Sequence, residues 1–127
     1  MTDETVAILG ASKDRAKHGN KAVRAYVSRG WTVYPVNPKE TEIEGVKCYP
    51  SILDVPRPIQ RVSMYLPPQV GLSVLADIAT VSPEDVYFNP GSDSPEVISR
   101  ATDLGLNAIV ACSISEIGMS PSKLSSQ

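Results

Sequence analysis

The sequence has few of the residues from which most catalytic and metal sites are built. It holds one histidine, His18, and two cysteines, Cys48 and Cys112. One imidazole cannot make a histidine cluster. The two thiols have neither a metal-ligand spacing nor a disulfide framework, so reduced cysteines are expected. No apolar run approaches the roughly 18 residues that a membrane-crossing helix needs. The opening Met1-Thr2-Asp3-Glu4 goes directly into an apolar segment, with no cationic stretch of the signal-peptide kind. A cytoplasmic protein is the expectation. Charge of one sign is lacking too: 12 basic and 14 acidic side chains leave a net charge of −2. No whole-molecule field therefore draws the chain to nucleic acid or to an anionic membrane. A phosphate ligand would have to be held by a local cluster of cations.

What is present is a regular alternation. Thr5–Gly10 ("TVAILG") is a short apolar run ending at glycine, the form of a buried parallel strand. A helix follows near His18–Arg29, with Ala22, Val23, Tyr26 and Val27 on one face and Gly30 as its stop. "WTVYPV" reads as the second strand. The stretch from Asn37 to Pro50 has too many turn formers and charges for a long element, and Ser51-Ile52-Leu53-Asp54 has the form of one short helical turn. "RVSMYL" (Arg61–Leu66) is a third strand, and Pro67-Pro68 opens a helix striped by Leu72, Leu75, Ile78 and Ala79. "DVYFN" is a fourth strand. Ser94 then caps a helix with Pro95 in its first position and Val97, Ile98, Ala101 and Leu104 facing inward. "NAIVAC" is the fifth strand.

Five strands alternating with helices through short links predict one domain: a Rossmann-like, doubly wound parallel sheet with helices on both faces. Its core is expected over about residues 5–112. The polar remainder, 113–127, is expected to fray after Ile117.

In such sheets a ligand sits beyond the carboxyl ends of the strands, near the point where strand order reverses. Four loops qualify. Gly10-Ala11-Ser12-Lys13 combines a glycine, a hydroxyl and a cation ahead of a helix N-terminus, with Arg15 and Lys17 close behind, and so suits an anion. It is neither G-x-G-x-x-G nor a P-loop, so a nucleotide triphosphatase is not expected. A solvated strand-to-helix turn would look the same. Val36-Asn37-Pro38-Lys39 has no acid where a dinucleotide fold grips a ribose. A lysine there would pair with a phosphorylated ribose, as in NADP or coenzyme A, unless it is an ordinary exposed turn. Tyr65-Leu66-Pro67-Pro68 offers a flat apolar wall or merely a helix start. Asn89-Pro90-Gly91-Ser92 lets a ligand chain lie along the backbone, or is only a turn.

Taken together, "VAILGASKDRAKHGNKAVRAYVSRGWTVYPVNPKETEIEGVKCYPSILDVP", "VSMYLPP" and "NPGSDSPEVISRATDLGLNAIVAC" resemble the CoA-binding domain family from about Val6 to Cys112. The closest likeness is to its small, single-domain, YccU-like branch. The N-terminal domain of the succinyl-CoA synthetase α subunit is a larger relative. The resemblance implies a nucleotide-binding chain whose ligand is coenzyme A or an acyl-CoA. Gly10, Ala11, Ser12, Lys13 and Arg15 would hold the phosphates. Val36, Asn37, Pro38 and Lys39 would lie by the ribose phosphate. Tyr65, Leu66, Pro67, Pro68, Phe88, Asn89, Pro90 and Gly91 would flank the adenine and pantetheine parts. One departure is Gln60, where many relatives carry an Asp nearby; local packing is expected to feel it more than binding.

Two functions stay open. One is non-catalytic binding of coenzyme A or acyl-CoA as a sensor, carrier or regulatory module, for which the absence of a catalytic set speaks. The other is an enzyme: an NADP-dependent reductase, or the CoA-holding component of a two-chain acyl-CoA ligase with a protein partner. His18, at the helix start, either donates to a phosphate or caps and solvates. Cys112, at the end of the fifth strand, is either a small hydrophobe or a thiol within reach of the CoA sulfur.

Overall fold

A computed structural model describes residues 4–124; Met1–Asp3, on which part of the location argument rests, and the last three residues of the expected tail lie outside them. The chain runs β1 (Thr5–Leu9), α1 (His18–Ser28), β2 (Thr32–Val36), β3 (Glu42–Ile43), β4 (Val46–Lys47), a 3-10 turn (Ile52–Asp54), β5 (Arg61–Met64), α2 (Pro68–Val81), β6 (Asp85–Phe88), α3 (Pro95–Asp103), β7 (Ala108–Val110), α4 (Ser113–Glu116) and a last 3-10 turn (Pro121–Lys123). Five strands form one parallel sheet in the order β2-β1-β5-β6-β7. The chain steps outward from β1 to β2, then crosses back and proceeds in the other direction. Strand order therefore reverses between β1 and β5.

Side chains alternate across each strand and so supply two cores. Val6 and Ile8 of β1 pack with Ala22, Val23 and Tyr26 of α1. Ala7 and Leu9 face the other way, toward Leu75 and Ile78 of α2 and Val97 and Ala101 of α3. All these side chains are buried. Proline opens both α2 and α3, and Ser94 Oγ accepts from the Val97 amide at 3.1 Å, as a cap should. Register then matters for function. Leu9 stands level with Val36 and Met64, Met64 with Phe88, and Phe88 with Val110. The strands thus end in one row, and the loops that follow them emerge along one edge.

Two segments are more ordered than their composition implies. Within Asn37–Pro50, β3 and β4 make a small antiparallel hairpin around Glu44-Gly45, both with positive φ (53° and 75°). This is the two-residue turn geometry that matches strand twist, although its first position usually carries Asn, Asp or Gly. The tail does not simply fray after Ile117. Arg29, at the end of α1, donates from Nε to the Ile117 carbonyl at 2.9 Å and from a terminal nitrogen to the Gly118 carbonyl at 3.1 Å. Ile114 is buried, and Ile117, Met119 and Leu124 pack on the α1 side. Spaced apolar residues among serines hold this segment down; its overall polarity conceals them.

The opposite edge of the sheet carries a largely buried ion pair. Arg61 Nε donates to Asp85 Oδ1 at 2.9 Å, and the guanidinium stacks over Trp31 and Tyr87 at 5.0 and 4.5 Å from the ring centroids. Burial disfavours its charge, but hydrogen bonds with Asp85 and Tyr26 outweigh that and raise its pKa. Gln60 also lies at this edge, where its carbonyl accepts from the Glu84 amide at 2.8 Å. Removing one partner strands a charge. Asp85→Ala should therefore lower unfolding free energy by about 3 kcal/mol in urea titration. The double variant Arg61→Leu/Asp85→Ala should recover a good part of that loss.

Candidate functional site

The row of strand ends opens into a cleft of about 770 Å³. Every strand of the main sheet sends its following loop to the wall: Gly10, Ala11 and Ser12 after β1, Asn37 after β2, Tyr65, Leu66 and Pro67 after β5, Asn89, Pro90 and Gly91 after β6, and Cys112 after β7. Ten of the residues expected at a site are thus brought together. Lys17, His18, Gly19, Ser92 and Pro121 complete the lining.

The polar end is built by close backbone packing. Gly10 has φ +87°, and a Cβ there would stand 2.9 Å from the Tyr65 carbonyl carbon. At Gly19, in the first turn of α1, a Cβ would meet the Gly10 oxygen at 2.2 Å. Only glycine allows the helix start to sit this near the end of β1. Lys17 occupies the N-cap position in an extended conformation, and its side chain caps nothing. The first-turn amides of His18 and Gly19 therefore have no intrahelical acceptor, and both residues border the cleft. A positive helix end facing open space, with a lysine beside it, is suited to an anion.

The other expected residues lie elsewhere. Lys13 is largely exposed and ion-paired with Glu40 at 3.5 Å. Arg15 pairs with Glu44, whose carboxyl is held below its ordinary pKa by the Asn20 amide and, against the cost of burial, by Arg15. Val36 and Phe88 are buried in the core that faces α2 and α3, so neither side chain lines the cleft. Pro38 and Lys39 are exposed, outside the lining. Lys39 makes no ion pair among the described residues. Pro68 belongs to a shallower groove with Leu72 and Pro95, which meets the cleft at Pro67. Two amides that looked available for a ligand are largely engaged by the protein. Asn37 Nδ2 donates to the Ala11 carbonyl at 2.9 Å, and its Oδ1 accepts from the Lys39 amide at 2.8 Å. Asn89, 1% exposed, donates to Ser63 Oγ and the Met64 carbonyl and accepts from the Ser113 amide, at 2.8–2.9 Å.

That last set continues as a buried network beneath the cleft. Ser63 Oγ and Ser113 Oγ are 2.6 Å apart, and Tyr26 donates its hydroxyl to the Ser113 carbonyl at 3.0 Å. Tyr65 reaches Ser113 Oγ at 3.4 Å. Sequence reasoning missed Ser63, Ser113 and Asn20, because small polar residues in strands and helices give no periodic signal. Both cysteines are free thiols; Cys48 is buried, which raises its pKa, and Cys112 borders the cleft. No group of three metal-ligating side chains occurs among the described residues, and no described helix is long and apolar enough to cross a membrane.

Two measurements test this construction. Gly19→Ala should destabilise the fold by about 2 kcal/mol in chemical denaturation, since the new methyl group meets backbone that cannot rotate aside. Burial also pushes the Tyr65 phenol up to about 12. The unfolded chain ionises first, near pH 10. The contribution of Tyr65 to stability is thus complete below about pH 10 and is lost as pH rises toward 12. Tyr65→Phe should flatten that alkaline decline in a pH series of thermal melts.

The chain is similar to known proteins in both sequence and fold. The chain is 39% identical over 74 residues to the ADP-forming acetate–CoA ligase of Methanocaldococcus jannaschii, covering 58% of this chain and 10% of the ligase. Its identity to the ADP-forming acetate–CoA ligase II of Archaeoglobus fulgidus is 36% over 78 residues, 60% of this chain and 12% of that one. The chain therefore spans about a tenth of the length of these curated relatives. Among solved structures, a conserved hypothetical protein from Pyrococcus furiosus superposes with a TM-score of 0.81 at 32% identity, over 91% of this chain and 99% of that one. The apo dinucleotide-forming acetyl-coenzyme A synthetase 1 of Ca. Korarchaeum cryptofilum gives a TM-score of 0.74 at 28% identity, over 85% of this chain and 26% of that one. The sequence pattern described as "CoA binding domain" matches residues 4–117, and on that match, together with the sheet and cleft, this chain belongs to the CoA-binding domain family.

Proposed function

We propose that the cleft binds coenzyme A or an acyl-CoA and performs no chemistry on it, so that the chain acts as a sensor, carrier or regulatory module. The observation that carries this reading is the uncapped start of α1, drawn against the end of β1 by Gly10 and Gly19 and opening on the cleft. Coenzyme A is long, with anionic and apolar stretches, and the wall has both kinds of surface. The amides of His18 and Gly19 and the side chains of Ser12 and Lys17 suit its pyrophosphate. Leu66, Pro67, Pro90 and Gly91 suit the adenine ring and the pantetheine arm. Lys39, two residues beyond Asn37 and exposed, suits a phosphate at the rim, where a ligand group can approach from solvent. Lys13 and Arg15 already have carboxylate partners, so in this reading they set the local potential and do not clasp the ligand.

The likeness to ligases supports a second reading: the chain as the CoA-holding component of an acyl-CoA ligase that works with a protein partner. One relative is a separate subunit, the α subunit of the Pyrococcus furiosus ADP-forming acetate–CoA ligase II, 37% identical over 65 residues. Chemistry would then depend on groups from the partner. The NADP-dependent reductase, the other enzyme considered, draws no support from these relatives.

Thermal shift and calorimetry with CoA, acetyl-CoA, dephospho-CoA, NAD and NADP separate the readings. CoA should raise the melting temperature, and the rise should continue with the logarithm of its concentration once that exceeds Kd. Dephospho-CoA and the Lys39→Glu variant should each bind about fivefold more weakly, the scale of one exposed charge contact. Preference for NADP over CoA would favour a reductase, and an equal response to NAD and NADP would remove Lys39 from the site. Acyl-CoA formation on adding a ligase partner would replace the non-catalytic reading with the second.

A further inference from the structure

The Gly10–Arg15 loop is held from outside through its carbonyl oxygens. Asn37 Nδ2 takes the Ala11 carbonyl at 2.9 Å, Asn20 Nδ2 takes that of Ser12 at 2.9 Å, and a terminal nitrogen of Arg24 takes that of Arg15 at 2.9 Å. These side chains come from three places: the loop after β2 and two successive turns of α1. Asn20 is fully buried and is itself fixed, accepting from Arg24 Nε at 2.7 Å and reaching Glu44 Oε2 at 3.0 Å. Glu44 also receives Arg15. A carbonyl beside a phosphate would repel it. These three are occupied by internal donors, whereas the amides of Lys13 and of Ser12, which lines the cleft, have no hydrogen-bond acceptor among the described residues.

Glu44 is the unexpected member of this set. It stands first in the β3–β4 turn with φ +53°, in the left-handed region that a residue with an ordinary side chain adopts at a cost. Asn, Asp or Gly would meet the demand of the turn better. Strain at one position, kept together with a carboxylate that engages both Asn20 and Arg15, suggests a task other than making the turn.

We propose that Glu44, Asn20 and Asn37 are positioning residues for ligand phosphate: the β3–β4 hairpin is a strut that holds the first loop so that its amides, not its carbonyls, meet the anion. This rests on the reading that the cleft takes the phosphates of coenzyme A. It adds that affinity for those phosphates is set by side chains that hold the loop's carbonyls and not the anion.

The test compares the full chain with its Glu44→Asn and Glu44→Gln variants by calorimetry against CoA, inorganic pyrophosphate and pantetheine, which carries no phosphate. Asn suits the turn but is too short to span to Asn20 and Arg15, whereas Gln keeps an acceptor for Asn20. Glu44→Asn should melt no lower than the parent, bind CoA and pyrophosphate about tenfold more weakly and leave pantetheine unchanged. Glu44→Gln should recover part of the loss. Unchanged CoA affinity in Glu44→Asn would overturn the proposal. So would equal weakening for CoA and pantetheine, which marks a purely structural role. Failure of the parent chain to bind either CoA or pyrophosphate would instead strike the underlying reading, and the strut with it.

Discussion

The structure depends on one contact between backbones. The first turn of α1 lies against the end of β1 so closely that a methyl group on Gly19 would overlap the Gly10 oxygen. This contact decides where the helix points, and hence where its unpaired amides and the positive end of its dipole are found. It also brings the first loop against Tyr65, across the gap where strand order reverses. A bulkier pair would push the helix outward and leave the same side chains around a wider, less polar opening. The exposed positive end of α1 at the cleft thus starts from the smallest side chains in the chain and from no charged one.

Beneath this lies a floor of hydrogen bonds. Asn89, Ser63 and Ser113 satisfy one another and the carbonyl at the end of β5, and none of the described buried side-chain polar atoms lacks a partner. Such a network is costly when incomplete and rigid when complete. It explains why Asn89, in a loop that looks suited to ligand contact, works inward. The loop around it borders the cleft with Pro90 and Gly91.

Much of this could be read in the amino-acid order. Apolar runs ending at glycine or proline marked the strands and their carboxyl ends, because burial on both faces leaves little freedom in composition. From those ends the edge that carries the cleft followed by topology alone. What escaped was the partner of each polar group. Lys13 and Arg15 looked free because their acids, Glu40 and Glu44, come from a segment too rich in turn formers to predict in detail. Phe88 was expected beside the ligand from the family resemblance, yet strand alternation turns it into the core. Asn20 gave no sign at all, since an asparagine inside a helix more often faces water. Charge and periodicity show where elements lie; they do not show which donor meets which acceptor.

Helix α1 ties together two walls that no strand connects. Its opening turn borders the cleft, while Arg29 at its far end grips the carbonyls of Ile117 and Gly118, from which the chain returns to set Pro121 into the lining. A chain shortened to the five strands and their loops would keep nearly every residue that motif reading selects. It would nevertheless present an unfinished bay, open to water on the side that Pro121 now encloses.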